Sequence, residues 1–334
     1  MGKRGPFSKV TDRPMKRTRF CEFLEIQYPI IQGGMLWLAN AELAAAVSNA
    51  GALGVISPYA GMERHGDGLE NLGEQIKRIR DLTDKPFGVN VPLDLDRSGL
   101  LIDRLLHEEI KLVITAAGSP AHYTELLKQA GMKVFHVISS VSQAKFAESC
   151  GVDAVIAEGI EAAAHNGFDE LPLFSLVPQV ADAVSIPIIA AGGIADARGV
   201  VAAFALGAEG VQLGTRFVAV YENISHQQYK EAILAATDTD TVITCRRLLP
   251  TRSLKTAFSA RLLDLEQSGI SADGIRDFLG YRRARKGQLE GNLDEGEIYA
   301  GSSVGLIKEI IPAAKVVQDL VEGYHKVIER LVCR

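Results

Sequence analysis

The feature that most constrains the fold is a regular alternation of short apolar runs and helical patterns between residues 28 and 217. Eight apolar runs alternate with stretches that have helical spacing, and several of the runs end in glycine. The runs are almost continuously apolar, as expected of parallel strands that are buried on both faces. Eight such units fit a (β/α)8 barrel, or TIM barrel, better than an open sheet, for which about five or six strands are usual. We therefore predict an α/β protein with this barrel.

The pattern also predicts how the chain is divided. The eight strands are expected in residues 28–35, 51–57, 86–93, 111–117, 133–139, 153–159, 187–191 and 210–213. After residue 217 the sequence becomes more polar, with helical stretches at 225–236 and 255–266 and no strong strand series. We predict a barrel from residues 19–221 and 300–334, the latter being a final helix broken near Pro312. Residues 222–299 are expected to form a small, mainly helical subdomain over the barrel mouth, and residues 1–18 a flexible basic arm.

Composition excludes several classes of function. The formal net charge of -5 gives no general attraction to nucleic acid or to an anionic membrane, and aromatic residues make up only 6% of the chain. No apolar run reaches the roughly 18 residues of a membrane helix. The four cysteines lie far apart without metal-ligand spacing, so we predict reduced thiols, a cytoplasmic protein and no metal site.

The last two predicted strands indicate an anion site. They end in Gly192-Gly193 and Gly214-Thr215, and a helical pattern separates them. Glycines after neighbouring strands allow backbone N–H groups to approach an anion closely. In a (β/α)8 barrel, two such turns form a phosphate site at the C-terminal mouth. The stretch 188–217 is therefore predicted to hold the phosphate of a cofactor.

Two polar side chains at strand ends are candidates for chemistry. His165 lies in a polar loop after the sixth strand, where barrels place catalytic groups, and imidazole can accept a proton near neutral pH. The alternative is a surface or packing histidine. Asn90 ends the third strand, and its amide suits the edge of a flavin or nicotinamide ring. The alternative there is a simple turn residue. Gln32 and the run Gly33-Gly34-Met35 would lie beside the same space.

Eight motifs together resemble a known family. They are PIIQGGM at 29–35, VSNAGALGVIS at 47–57, KPFGVNVPL at 85–93, AEGIEAAAHNG at 157–167, LVPQVADAV at 176–184, IPIIAAGGIAD at 186–196, LGAEGVQLGTRF at 206–217 and EGEIYAGSSVGLIKEIIPAAKVV at 295–317. The combination resembles nitronate monooxygenase, also called 2-nitropropane dioxygenase. Flavin-dependent enoyl-acyl-carrier-protein reductases share nearly all of these motifs, so the resemblance does not choose between the two activities.

The resemblance implies a flavoprotein oxidoreductase with bound FMN. The phosphate is expected on Gly192-Gly193 and Gly214-Thr215, with Gln212 nearby as a further cofactor-binding residue. The expected neighbours of the ring are Gly33, Gly34, Met35, Asn90, Glu158 and Gly159. His165 matches the family's active-site histidine, beside the flavin, where it can act as a base toward the carbon that bears the nitro group.

The expected reaction is oxidation of alkyl nitronates by O2 to a carbonyl compound and nitrite, with a small nitronate and O2 as the partners. The alternative is NAD(P)H-dependent reduction of an enoyl thioester on a carrier protein. In that case the basic run at residues 282–286 would be a docking site for an acidic carrier. The oligomeric state is left open, with a homodimer as one option.

The sequence departs from the family pattern at two places. The family usually has Gly-Gly before the active-site histidine, whereas this chain has Ala163-Ala164. The two added methyl groups are expected to restrict the loop to ordinary φ and ψ angles and to crowd the pocket. In the tail, Ser302 follows Gly301 where the family commonly has glutamine. This change is expected to remove an amide that lines the site.

Overall fold

The computed structural model describes residues 15–63, 66–94 and 97–332. Most of the predicted basic arm, residues 1–14, lies outside the described residues. At its described end, Met15 and Thr18 are buried, and Met15 packs in the main hydrophobic core. The division of the chain into an arm, a barrel and a subdomain stays a prediction.

Strands occur in all the segments where the sequence predicts them. In chain order the described strands are β1 (Ile30–Gln32), β2 (Gly54–Ile56), β3 (Phe87–Pro92), β4 (Leu112–Ala116), β5 (Lys133–Ile138), β6 (Ala154–Glu158), β7 (Ala164–His165), β8 (Ile188–Ala191), β9 (Gly210–Leu213), β10 (Thr241–Thr244) and β11 (Thr251–Leu254). All of these except β7, β10 and β11 form one parallel sheet.

The parallel sheet closes into a barrel, which confirms the predicted fold class. Its strand order is β1-β9-β8-β6-β5-β4-β3-β2. The two end strands, β1 and β2, meet through a parallel bridge between Ile31 and Leu53. Gln32 supports this seam, because its Oε1 accepts a hydrogen bond from the Val55 N–H at 3.0 Å. Gln32, expected near the cofactor, is therefore fully buried between strands.

Helices connect and cover the strands. The described α-helices are α1 (Arg19–Leu24), α2 (Ala41–Asn49), α3 (Gly68–Leu82), α4 (Ser98–His107), α5 (Thr124–Gln129), α6 (Val141–Ser149), α7 (Leu173–Ala181), α8 (Ala197–Ala205), α9 (Thr215–Val218), α10 (Gln227–Ala235), α11 (Ala257–Gln267), α12 (Ala272–Leu279), α13 (Arg283–Gln288) and α14 (Ala313–Val332). None of these described helices has both the length and the apolar character that a membrane span requires.

The N-terminal end of the barrel is closed by α1. Phe20 on this helix is fully buried against Phe135 of β5, with the ring centroids 6.4 Å apart. A Cβ on Gly210 would collide with the Phe20 ring, so the glycine lets α1 lie directly under β9. Because this end is filled, the open end of the barrel is the one where the strands finish.

The region after the barrel contains more strand than the sequence predicts. Between residues 222 and 299, helices α10 to α13 are accompanied by β10 and β11, which pair antiparallel. The short strand β7, from the loop after β6, joins β11 and completes a three-stranded sheet. The sheet places the loop that carries His165 against residues 251–254.

The end of the chain packs back on the barrel, but not as one helix from residue 301. Residues Ser302–Leu306 form a 3-10 helix, and α14 begins directly after Pro312. A proline at this point lacks an N–H and has a fixed φ, so it suits the start of a helix rather than its interior. Helix α14 contacts α8 and α2 on the outside of the barrel, with Val316, Val317 and Leu320 buried.

Candidate active site

A cavity opens at the C-terminal ends of the barrel strands, where the sequence predicts the site, and encloses about 1020 Å³ of space that includes the solvent at its open side. It lies between the ends of β1, β6, β8 and β9, the loop before β7, and residues of α10, α13 and the segment 299–303. All the predicted site residues line it except Asn90 and Gly159.

The two glycine turns form one wall of this cavity. Gly192 and Gly193 have φ angles of 98° and 70°, a conformation that residues with a side chain rarely adopt. Gly214 follows β9, and a Cβ built on it would have no atom within 4 Å. Thr215 accepts a hydrogen bond from the Gly301 N–H at 3.0 Å, which leaves its hydroxyl hydrogen for another acceptor.

No lysine or arginine is among the described residues that line the cavity. Any anion held at the glycine turns must therefore be stabilised by backbone N–H groups and by the Thr215 hydroxyl, which is how many phosphate-binding turns work. Arg216, the next residue, is directed elsewhere: its guanidinium donates to the backbone carbonyls of Ala219 and Glu309.

The side-chain oxygen of Gln212, on β9, is the atom that most directly indicates a bound ligand. Its Oε1 is buried and accepts no hydrogen bond from any described residue. An unpaired buried acceptor costs free energy, so a donor from a bound molecule is expected there. Gly33 allows this side chain to lie close to β1, since a Cβ on Gly33 would be 3.0 Å from the Gln212 Cγ.

The loop between β6 and β7 places His165 on the opposite wall. Asn166 stabilises the loop, because its Nδ2 donates to the carbonyls of Ala162 and Ala164 at 3.1 and 2.8 Å. Glu161 fastens its other end by accepting from the Leu173 N–H at the start of α7. His165 Nδ1 lies 3.0 Å from Thr251 Oγ1, and its ring lies 6.0 Å from that of Tyr299.

The geometry of this loop corrects one expectation. Ala164 has a φ of 64°, in the left-handed region, so it is not restricted to ordinary backbone angles. Ala163, by contrast, does not have a positive φ. Both alanines line the cavity together with His165. The loop thus keeps the conformation suited to glycine and stores the strain of an alanine at residue 164.

Burial shifts the proton affinity of the groups around the cavity. The His165 side chain is exposed to the cavity, and desolvation by the nearby protein lowers its pKa, while Asp94 partly opposes the shift. Burial raises the pKa of Glu158, at the end of β6, to about 7. The shift favours the neutral imidazole of His165, whereas the pKa of Glu158 lies close to neutral pH.

Several lining residues were not found by sequence reasoning. Tyr229 from α10, Gln288 from α13 and Tyr299 face the cavity from the side opposite the barrel. Tyr299 lies in the tail motif that carries the resemblance, so that motif could have indicated it. Ser303, rather than Ser302, lines the cavity; Ser302 donates its N–H to the Glu161 carbonyl at 2.9 Å. Gln288 and Thr251 had no comparable signal.

Asn90 and Gly159 lie next to the cavity rather than on its surface. Asn90 packs against Gly34, and the Gly159 carbonyl accepts from the Ala162 N–H at 2.9 Å. Both therefore support residues that line the cavity. Among the described residues, no group of three histidine, cysteine or acidic side chains is arranged to hold a metal ion.

Comparison with known proteins agrees with this architecture. The family model described as nitronate monooxygenase matches residues 17–99 and 98–323. The solved structure of FabK from Thermotoga maritima has a TM-score of 0.89 and 42% identity, covering 95% of this chain and 99% of that chain.

Two curated relatives also cover most of the chain. A probable nitronate monooxygenase of Staphylococcus saprophyticus subsp. saprophyticus is 31% identical over 94% of this chain and 99% of its own length. A (3aS,4S,5R,7aS)-5-hydroxy-7a-methyl-1-oxo-octahydro-1H-indene-4-carboxyl-CoA dehydrogenase of Rhodococcus jostii (strain RHA1) is 32% identical over 92% of this chain and 94% of its own length.

A TIM barrel with a glycine-lined cavity at its C-terminal mouth, together with these matches, defines a flavoprotein oxidoreductase. Within that class, the chain belongs to the nitronate monooxygenase family.

Proposed function

We propose that this chain is an FMN-dependent nitronate monooxygenase, which oxidises nitroalkanes in their nitronate form with O2 to a carbonyl compound and nitrite. The observation that carries the proposal is the position of His165 in the wall of a cavity suited to a flavin. A neutral histidine accepts protons, and formation of a nitronate from a nitroalkane begins with loss of a proton from carbon.

The residues of the cavity fit a flavin mononucleotide. The N–H groups around Gly192, Gly193 and Gly214, with the Thr215 hydroxyl, suit its phosphate. The unpaired Oε1 of Gln212 suits an N–H donor of the bound cofactor. When bound, the FMN would accept electrons from the substrate and transfer them to O2, chemistry that protein side chains do not provide.

His165 and Glu158 would divide the proton chemistry between them. His165 takes the proton from the carbon that bears the nitro group and becomes an imidazolium. The negative charge moves to the nitro oxygens, and Glu158, neutral below about pH 7, can donate a hydrogen bond to a nitronate oxygen. The surrounding alanines, Ala163 and Ala164, favour small alkyl substrates because they line the cavity beside His165.

Anaerobic reduction of the flavin tests this proposal. The purified protein, loaded with FMN, is mixed without O2 with ethyl nitronate, NADH or NADPH, and the flavin absorbance is followed. Rapid bleaching by the nitronate, with slow or absent bleaching by either nicotinamide, is the expected result. Rapid bleaching by NADH or NADPH and none by the nitronate would overturn it.

The second candidate is NAD(P)H-dependent reduction of an enoyl thioester. It is favoured by the likeness to FabK, an enoyl-ACP reductase, at 42% identity over 95% of this chain. A nicotinamide that bleaches the flavin, followed by reoxidation with an enoyl thioester, would support it. Both candidates use the same barrel and cavity and differ in the donor and the acceptor of electrons.

Two of the four basic residues in the run 282–286 make contacts within the protein. Arg283 donates to the backbone carbonyls of Leu279 and Phe278, and Arg285 donates to the Met62 carbonyl and pairs with Glu290. These two side chains therefore connect parts of the segment 278–290 to one another and, through Met62, to the barrel. A docking site for an acidic carrier protein would need such charges to be directed to solvent.

A further inference from the structure

The partner of His165 is a threonine on the hairpin that follows the barrel. Strand β7 pairs antiparallel with β11, so that His165 lies directly opposite Thr251. The Thr251 side chain is buried, and its Oγ1 lies 3.0 Å from His165 Nδ1. The distance defines a hydrogen bond but does not say which atom is the donor, because a neutral imidazole can be protonated on either nitrogen.

A second hydrogen bond of Thr251 sets the direction of the first. Its hydroxyl lies 2.8 Å from the Leu249 carbonyl, which can only accept. No other described group donates to this carbonyl. A hydroxyl has one hydrogen, so when Thr251 donates to Leu249 it must accept from His165. The proton of the neutral imidazole is then on Nδ1.

We propose that Thr251 is a positioning residue that fixes His165 in its Nδ1–H tautomer and leaves the Nε2 lone pair as the base. The inference rests on the proposed function in one respect, namely that His165 removes a proton from substrate. A lone pair on Nδ1 would be directed at Thr251, away from substrate, so the tautomer decides whether His165 can act as a base at all.

Strand β11 also positions Tyr299, whose ring lies beside the imidazole of His165. Ser253 forms an antiparallel bridge with Tyr299, and the Leu254 N–H donates to the Ile298 carbonyl at 2.7 Å. One strand therefore aligns both His165 and Tyr299. The Tyr299 hydroxyl donates to Glu297 at 3.1 Å, so its hydrogen is not available to the Nε2 lone pair of His165.

The tautomer is measured directly by NMR on the full chain loaded with FMN. Histidine is labelled with 15N, and two-bond 1H–15N correlations are recorded at a pH where His165 is neutral. The spectrum of His165→Gln identifies the signals of His165 by their loss. The expected result is a protonated Nδ1 and an unprotonated Nε2; a protonated Nε2 would overturn the proposal.

Two variants test whether Thr251 is the cause. Thr251→Val keeps the shape but removes the acceptor, and Thr251→Ser keeps the hydroxyl. In the valine variant the Nδ1–H form should lose population, and kcat for a neutral nitroalkane should fall about fivefold to tenfold with little change in KM. The serine variant should keep the tautomer and stay within about twofold of the parent. A valine variant with the native tautomer would contradict the proposal.

The experiment separates this inference from the proposed function. A protein that has the Nδ1–H tautomer but oxidises no nitroalkane would contradict the function and leave the role of Thr251 in place. A protein that oxidises nitroalkanes but has the Nε2–H tautomer would contradict the role of Thr251 and leave the proposed function in place.

Discussion

Asn90 packs directly behind Gly34, so closely that a Cβ on the glycine would lie 2.5 Å from both Cβ and Cγ of the asparagine. Gly34 faces the cavity, whereas Asn90 does not. Asn90 therefore supports the backbone of Gly34, while its contact to a cofactor ring stays a prediction. Gly34 is required for this close packing.

Gly34→Ala should destabilise the protein even when no cofactor is bound. The contact involves the base of the Asn90 side chain, which cannot move without its strand, so we expect a loss of about 1–3 kcal/mol in the free energy of unfolding. Urea unfolding of the cofactor-free protein measures it. The matched variant is Gly214→Ala, where no atom lies within 4 Å of a built Cβ.

The two alanine variants should differ in stability. Gly214→Ala should unfold like the parent but bind FMN at least about tenfold more weakly, because its methyl group would occupy the proposed phosphate site. Fluorescence titration with FMN provides the comparison. Normal FMN affinity in Gly214→Ala would contradict the assignment of the phosphate to this turn.

Ala164→Gly should stabilise the protein. Ala164 has a φ of 64°, which costs an alanine roughly 1–2 kcal/mol, while glycine loses about 0.4–1 kcal/mol through the greater freedom of the unfolded chain. The net gain is expected to be about 0.5–1 kcal/mol in urea unfolding. Ala163→Gly is the control: without a positive φ to relieve, it should be neutral or destabilising. Equal effects of the two variants would count against the strained conformation.

Glu297 should make stability depend on pH. Burial raises its pKa from 4.5 to about 7, although the Tyr299 hydrogen bond and Arg283 act in the other direction. The folded state thus binds more protons than the unfolded state between these two values. Stability therefore falls as the pH rises from about 4.5 to about 7, and stays reduced above that range.

Glu297→Gln removes this titration while keeping an acceptor for Tyr299. Relative to the parent, the variant should gain on the order of 1–3 kcal/mol between pH 5 and pH 8. Urea unfolding of both proteins at the two pH values gives the difference. Parallel pH dependence in the two proteins would show that Glu297 is ionised at little cost in the folded state.

The sequence predicts the barrel well because each barrel strand carries its own signal. A buried parallel strand needs a short, continuous apolar run, and the run IIAAGG at residues 188–193 shows both the strand and the turn. The same local pattern, an apolar run followed by glycine, identifies Gly192, Gly193 and Gly214 as turn residues. Cavity residues that follow a strand directly, such as Glu158 and Gly33, could likewise be found from the sequence.

The sequence does not predict residues whose position depends on strand pairing with distant parts of the chain. Strand β11 has the sequence TRSL, which has no clear apolar alternation, and it is held by pairing with β7 and β10. Thr251 therefore has no local signal, although it lies opposite His165. The left-handed angle of Ala164 was also missed, because the hydrogen bonds of Asn166 outweigh the ordinary preference of alanine.

The role of His165 as the base is tested most directly by comparing two forms of one substrate. The parent and His165→Asn, both loaded with FMN, are assayed with neutral nitroethane and with preformed ethyl nitronate. If His165 removes the proton, the variant should lose about 10²–10⁴-fold of its activity with nitroethane and much less with the nitronate. The variant should also remain yellow, since His165 does not hold the phosphate. An equal loss with both forms, or no loss with nitroethane, would contradict the account.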